Sequence, residues 1–185
     1  PGQTVNQCGR TTLLIHTDHS GGMELFNRLD PAVHEGLNEA LGHRADVLAH
    51  GVGEGVVLVG TRSALARLIG DTWRVWGWEE VGSGSWAGES NTFRWRTVEG
   101  ERFEARLSDP GRLPELFQER VQASTVVQSV VDGTRGQVQI VGRRSLGEES
   151  ALHWYAVPSG GADLEDPATR DAVVAETDRL AAEYF

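Results

Sequence analysis

The chain has 185 residues, enough for one ordinary domain or a domain with an extension, and at 39% hydrophobic and 24% charged it can bury a core. No apolar run approaches the roughly 18 residues of a membrane-spanning helix, the first residues lack a signal-peptide core, and a single cysteine, Cys8, leaves no internal disulfide and no cysteine cage for a metal. These features point to the cytoplasm, and the net charge of −10 argues against general nucleic-acid binding, which needs a basic surface to release counterions.

Every basic residue is arginine and lysine is absent. With abundant Ala, Gly and Val, this is the mark of high-GC coding rather than of function. Residues 1–22 are polar. The sole methionine, Met23, follows Gly21-Gly22, so residues 1–22 read either as an extension ahead of a start at Met23 or as a native tail. Within them His16, Asp18 and His19 would hold a metal only on a helix, and Gly21-Gly22 argue for a loop.

Three helices are expected to begin with the same dipeptide, Asp30-Pro31, Asp109-Pro110 and Asp166-Pro167. Aspartate accepts orphan N–H groups at an N-cap, and proline has no N–H to leave unpaired at the first helical position. Val33, Leu37 and Leu41 follow the first at helical spacing, with Gly42 as the stop. Leu113, Leu116, Phe117 and Val121 line the second. Val173, Val174, Thr177, Leu180, Ala181 and Tyr184 line the third, which should pack as a lid.

Between the first two helices lie "DVLAHGV", "GVVLVGT", "SALARLIG", "TWRVWGW", "EEVGSGSW", "TFRWRTV" and "RFEARLS". All are bounded by turn residues and read as short strands of an antiparallel barrel or sandwich. After the second helix "STVVQSVV", "GQVQIVGRR" and "ALHWYAV" read as three more antiparallel strands, with no linker before them.

The hairpin at 92–107 is defined more closely. Phe93 and Trp95 alternate with Arg94 and Arg96, and Phe103, Ala105 and Leu107 alternate with Arg102, Glu104 and Arg106. Opposed residues share a face, so only an odd-length loop puts all the apolar residues together. A three-residue loop, Val98-Glu99-Gly100 with Gly100 left-handed, pairs Trp95 with Phe103, Phe93 with Ala105 and Arg94 with Glu104. Trp95 and Phe93 then face inward and the arginines outward.

From Asp46 to Val121 the order of these features resembles the pleckstrin-homology-like (PH-like) domains of bacteria. More narrowly, "VLAHGV…VVLVGTRSALARL…WEEVGSGSW…LPELFQERV" resembles a family of uncharacterised actinobacterial proteins. The resemblance implies an antiparallel PH-like β-barrel or sandwich capped by a helix; with the strands and helix read after it, the expected fold is α+β with a C-terminal β-β-β-α extension. The elements divide the chain into a flexible or non-native extension 1–22, a helix plus barrel at 23–123, and a meander and helix at 124–185. The resemblance also implies a platform for phosphoinositides, peptides or partner proteins. A lipid-binding member would carry its basic loop between the first two strands; here that loop is "GEG", with Glu54 and no basic residue, which makes phosphoinositide binding doubtful.

No motif calls for a cofactor or metal, and none specifies a reaction. "GVGEGV" is followed by a strand rather than a helix, so it is a turn and not a phosphate loop. "SGS" at 83–85 lacks the setting of a nucleophile elbow. The adjacent pairs Glu79-Glu80 and Glu148-Glu149 point to opposite faces of a strand and share no proton. Five of the six tryptophans lie in 72–96. Trp76, Trp78 and Trp86 fill a core or form an exposed patch beside Arg94, Arg96, Arg102 and Arg106; Trp73 has the other strand parity. That arginine row is either a solvated face or a site for an anion or acidic partner. His153, Trp154 and Tyr155 mark a second candidate, a pocket between barrel and extension, with His153 structural or a general base. The expectation is a non-enzymatic binding or scaffold protein acting on a protein partner, with homo-oligomerisation through an exposed strand edge open. The alternative is a small-ligand-binding protein or enzyme using the second pocket.

Overall fold

A computed structural model describes residues 28–184. The proposed extension 1–22, with its histidine cluster and Cys8, lies outside the described residues. The described chain is α+β, with three helices and three antiparallel sheets.

Helix α1 (Pro31–Leu41) starts as its sequence dictates. Asp30 Oδ1 accepts from Ala32 N at 2.8 Å, Pro31 takes the first helical position, and Gly42 at φ 73° ends the helix. Helix α3 (Pro167–Tyr184) follows the same rule, with Asp166 Oδ2 accepting from Thr169 N at 2.9 Å. The expectation fails at Asp109-Pro110. Gly111 is left-handed at φ 51°, which interrupts helical backbone, and α2 (Leu113–Ser124) begins beyond it without a side-chain cap. Asp109 instead exchanges two backbone hydrogen bonds with Val52, at 2.9 and 3.1 Å.

The first sheet is the meander β1 (Val47–Gly53), β2 (Val56–Thr61), β3 (Ala64–Ile69) and β4 (Thr72–Gly77). The second is β5 (Val81–Ala87), β6 (Thr92–Thr97) and β7 (Arg102–Arg106). A 3₁₀ turn, Trp78–Glu80, separates them, so the strand expected to carry Trp76, Trp78 and Trp86 in one register is broken. The ladders of the three sheets stay separate, and no barrel closes.

These two sheets share one core. Leu58, Leu65 and Trp76 come from the first, and Phe93, Trp95 and Ala105 from the second; Trp78 and Leu107 lie beside them, and Leu113 and Phe117 of α2 join the same cluster. Gly84 makes room for the helix: a Cβ there would lie 2.5 Å from a Phe117 ring carbon. The buried Trp78 indole is satisfied, its Nε1 donating to Thr61 O at 2.9 Å. On its other face the first sheet is covered by α1, through Leu37 against Val59 and Ala66, with Trp73 and Val75 alongside.

Helix α2 runs directly into β8 (Thr125–Asp132), which joins β9 (Gln137–Arg144) and β10 (Leu152–Ser159) in the order β10-β9-β8. The last helix lies on this third sheet, packing Leu180 and Val173 against Val127, Ile140, Val131 and Trp154. No helix of the described residues is long and apolar enough to cross a membrane.

Candidate functional site

The hairpin register is the one that alternation requires. Phe93 pairs with Ala105, Arg94 with Glu104, Trp95 with Phe103 and Arg96 with Arg102. Thr97 N donates to Glu101 O at 2.9 Å, closing the three-residue loop, and Gly100 takes φ 96°. On the other side of β6, Ser83 pairs with Arg96, Ser85 with Arg94 and Trp86 with Phe93. The rule that sends Trp95 inward therefore sends Ser83, Ser85, Arg94, Arg96, Arg102, Glu104 and Arg106 outward, and all seven are exposed.

That outer face forms a trough of about 570 Å³, lined by Ser83, Ser85, Arg94, Arg96, Arg102 and Glu104 over the backbone of Gly84, Trp95 and Phe103. Three of the four arginines singled out by sequence line it, and Arg106 stands outside it. Arg94 Nε lies 3.4 Å from Glu104 Oε2. Among the described residues Arg96 and Arg102 form no ion pair. Ser83 and Ser85 were passed over as candidate nucleophiles. Their strand parity opposite Gly84 and Trp86 is the signal that puts them beside the arginines.

The tryptophans do not join this face. Trp76 and Trp78 are 4% and 0% exposed and belong to the core, Trp95 is 3% exposed, and Trp86 and Trp73 are half-buried against the first and second clusters. None of the five offers an exposed aromatic platform.

At an edge of the shared core, Arg67 and Arg74 stand opposite one another on β3 and β4. The Arg67 guanidinium lies 5.7, 5.8 and 5.3 Å from the ring centroids of Trp76, Trp95 and Phe103. That of Arg74 lies 4.6 Å from Phe103 and donates to Glu101 Oε2 at 2.8 Å. Burial, and then Arg74, lower the Arg67 guanidinium from its ordinary value.

The second candidate site divides. Along β10 alternate residues face opposite sides, so Trp154 lies under α3 while His153 and Tyr155 stack together with ring centroids 6.4 Å apart. Ser145 Oγ donates to Glu79 Oε1 at 2.8 Å and lies 3.3 Å from His153 Nε2. With the hydroxyl proton given to Glu79, the histidine nitrogen must supply the proton of the second contact. In this geometry the Ser145 proton is directed to Glu79 rather than to His153. Beneath it Arg143 of β9, 3% exposed, joins the third sheet to the 3₁₀ turn, β5 and α2. Its Nη2 donates to Trp78 O at 2.7 Å and Val81 O at 2.8 Å, and its Nε to Ser124 Oγ at 3.1 Å. Burial lowers this guanidinium, while Tyr155 and Glu79 oppose the shift. Burial, then Glu79 and Glu80, push the Tyr155 phenol up. Tyr155 also lines a cavity of about 180 Å³ with Arg74, Trp76, Glu80, Glu99 and Glu101, which His153 and Trp154 do not reach.

Among the described residues no cluster of three or more His, Cys, Asp or Glu side chains is placed to hold a metal. The turn between β1 and β2 is Glu54-Gly55, without a cation. No protein-family model matches the chain, and comparisons with curated proteins and with solved structures find no match either.

Proposed function

We propose that this is a non-enzymatic binding protein that recognises a protein partner on the outer face of β5–β7, with a PH-like sandwich as its platform. Support for the platform comes from element order. A four-stranded meander and a three-stranded sheet share a core, and a helix follows the last strand, as the resemblance implies.

One observation carries the functional reading. Helix α1 covers the first sheet and α3 covers the third, but among the described residues no element covers the outer face of the second. That bare face is concave, and β6 and β7 carry four arginines against one acid in a chain of net charge −10. A local cation cluster on an acidic protein steers and orients an acidic partner.

The test is affinity capture from cells of the source at low salt, comparing the wild type with the triple variant R94A/R96A/R102A. The expected result is a defined protein held by the wild type, released by salt, and absent from the variant. Equal capture by both would sink the reading. The cavity at Tyr155 favours a second reading, a small polar ligand between the sheets. A metabolite panel that raises the melting temperature of the wild type but not of Y155F would favour it over the first.

A further inference from the structure

The arginines of the bare face are not equivalent. Arg94 is compensated by Glu104. Arg96 and Arg102 are directly opposed across two strands, an arrangement that costs a sheet stability. Among the described residues neither has a carboxylate or a hydrogen-bond acceptor, and the Ser83 hydroxyl in the same row is likewise unengaged. The register shift between Val81 and Ser83 marks a bulge, a device that re-aims side chains at the margins of sites. The row Ser83–Arg96–Arg102 therefore presents two guanidinium forks and one hydroxyl, donors only or donors by choice, into a single trough.

We infer that this row binds a phosphate monoester carried by a segment of the partner protein, an inference that rests on the partner-binding reading above. A phosphate monoester carries between one and two negative charges near pH 7 and three strong acceptor oxygens. One such group neutralises most of the Arg96–Arg102 charge and still has an oxygen for Ser83. A carboxylate brings one charge and two oxygens, and leaves one arginine of the pair uncompensated. The source is a protein segment rather than an extended polyanion. The net charge of −10, with Glu99, Glu101 and Glu104 exposed around the same hairpin, repels a nucleic acid or an anionic bilayer but leaves room for one local group.

The test is an NMR titration of the full chain with four probes at matched ionic strength: inorganic phosphate, a short glycine-flanked phosphoserine peptide, its unphosphorylated form, and acetate. Phosphate and the phosphopeptide are expected to give saturable shifts at Ser83, Arg96 and Arg102. Affinity should fall about tenfold or more in R96A and in R102A, and stay unchanged in R144A, an exposed arginine of the third sheet. R96K, which keeps the charge but loses the fork, should recover only part of the loss.

Acetate binding as tightly as phosphate would overturn the inference, as would an equal loss in R144A. Arg96-dependent binding to vesicles containing phosphoinositide, without binding of the phosphopeptide, would overturn the assignment to a protein segment. If partner capture is lost in the triple variant while the wild type ignores phosphate, only this inference fails. If capture survives the triple variant, the reading beneath it fails too.

Discussion

Arg67 opposes Arg74 on β3 and β4, and Arg96 opposes Arg102 on β6 and β7. The two pairs sit in sheets that share a core, and each places like charges side by side. The first is compensated from within: three aromatic rings lie under Arg67, Phe103 lies under Arg74, and Glu101 neutralises Arg74. The second pair points away from the core and, among the described residues, has neither rings nor an acid. The difference is one of strand parity, since residues facing the core meet its aromatic edge and residues facing out meet only solvent. It teaches that arginine content alone does not mark a binding surface on this protein. What marks it is charge that the fold leaves uncompensated.

Arg143 is the extreme case of internal compensation, and its removal should have the largest effect. R143A takes the guanidinium donor from the Trp78 and Val81 carbonyls inside the joint between sheets and leaves the Ser124 hydroxyl with its bond to Val121 O. Each unsatisfied buried group costs about 1–3 kcal/mol, so a loss of about 3–5 kcal/mol is expected in urea unfolding. A loss below about 1 kcal/mol would mean that water reaches the site and that the joint is looser than its geometry implies.

Next in size is F103A. The Phe103 ring stacks on Trp95 at 5.5 Å and 25°, and carries both Arg67 and Arg74. Losing a half-buried ring should cost about 2–3 kcal/mol. It would also remove the one ring that lies nearest both arginines, leaving Trp76 and Trp95 under Arg67 and Trp76 and Glu101 at Arg74. Added salt, by screening the exposed repulsion, should then recover more stability in F103A than in wild type or F103L. An identical salt response in all three would show that the rings do not compensate the pair.

How much of this was legible follows from which forces act locally. The hairpin register, the inward Trp95 and the outward arginines follow from period-two alternation and one glycine, both written in adjacent residues. Asp30 and Asp166 cap their helices because a cap needs only the next three residues. Asp109 has the same dipeptide but is held by Val52, more than fifty positions earlier, and no local pattern reports that. The 3₁₀ turn at Trp78 was hidden for a similar reason. Trp78 N donates to Ser63 O at 3.3 Å and the Trp78 indole to Thr61 O at 2.9 Å, both at the β2–β3 turn. Nothing local separates Arg143 from Arg144, and only the packing of a third sheet buries one and exposes the other. Of the second candidate site, alternation on β10 already separates Trp154 from His153 and Tyr155. His153 meets Ser145 of the β9–β10 connection, but the next link, from Ser145 to Glu79 in the 3₁₀ turn, spans the chain and could not be read.

A smaller effect is expected where an exposed arginine, Arg179, meets a half-buried acid, Glu176, and an exposed one, Glu183. Arg179 donates to both Glu176 oxygens at 2.8 Å and to Glu183 at 2.7 Å. The bonds from Arg179, then that from Ser129, hold Glu176 at about 2 against an ordinary 4.5. A depressed carboxylate contributes stability that is complete above its unfolded pKa and is lost as pH falls through the folded one. The melting temperature should therefore drop between pH 4.5 and 2 by an increment that E176Q lacks, modest because exposed pairs are screened. Parallel curves for wild type and E176Q across that window would remove this pair from the account.

The smallest effect has the opposite sign. R96A and R102A each remove one member of an uncompensated like-charge pair, so each should leave stability unchanged or raise it, by about 0.2–0.5 kcal/mol. Because either change relieves the same repulsion, the double variant should gain no more than the larger single one. R67A, measured in parallel, should lose about 0.5–1 kcal/mol as its ring contacts go. A loss above about 1 kcal/mol in R96A or R102A would mean that those side chains support the sheet, and the contrast between the two pairs would collapse. If instead the fold gains from a deletion that abolishes phosphate binding, the two arginines are retained at a cost to the sheet, and only a ligand on the bare face accounts for them.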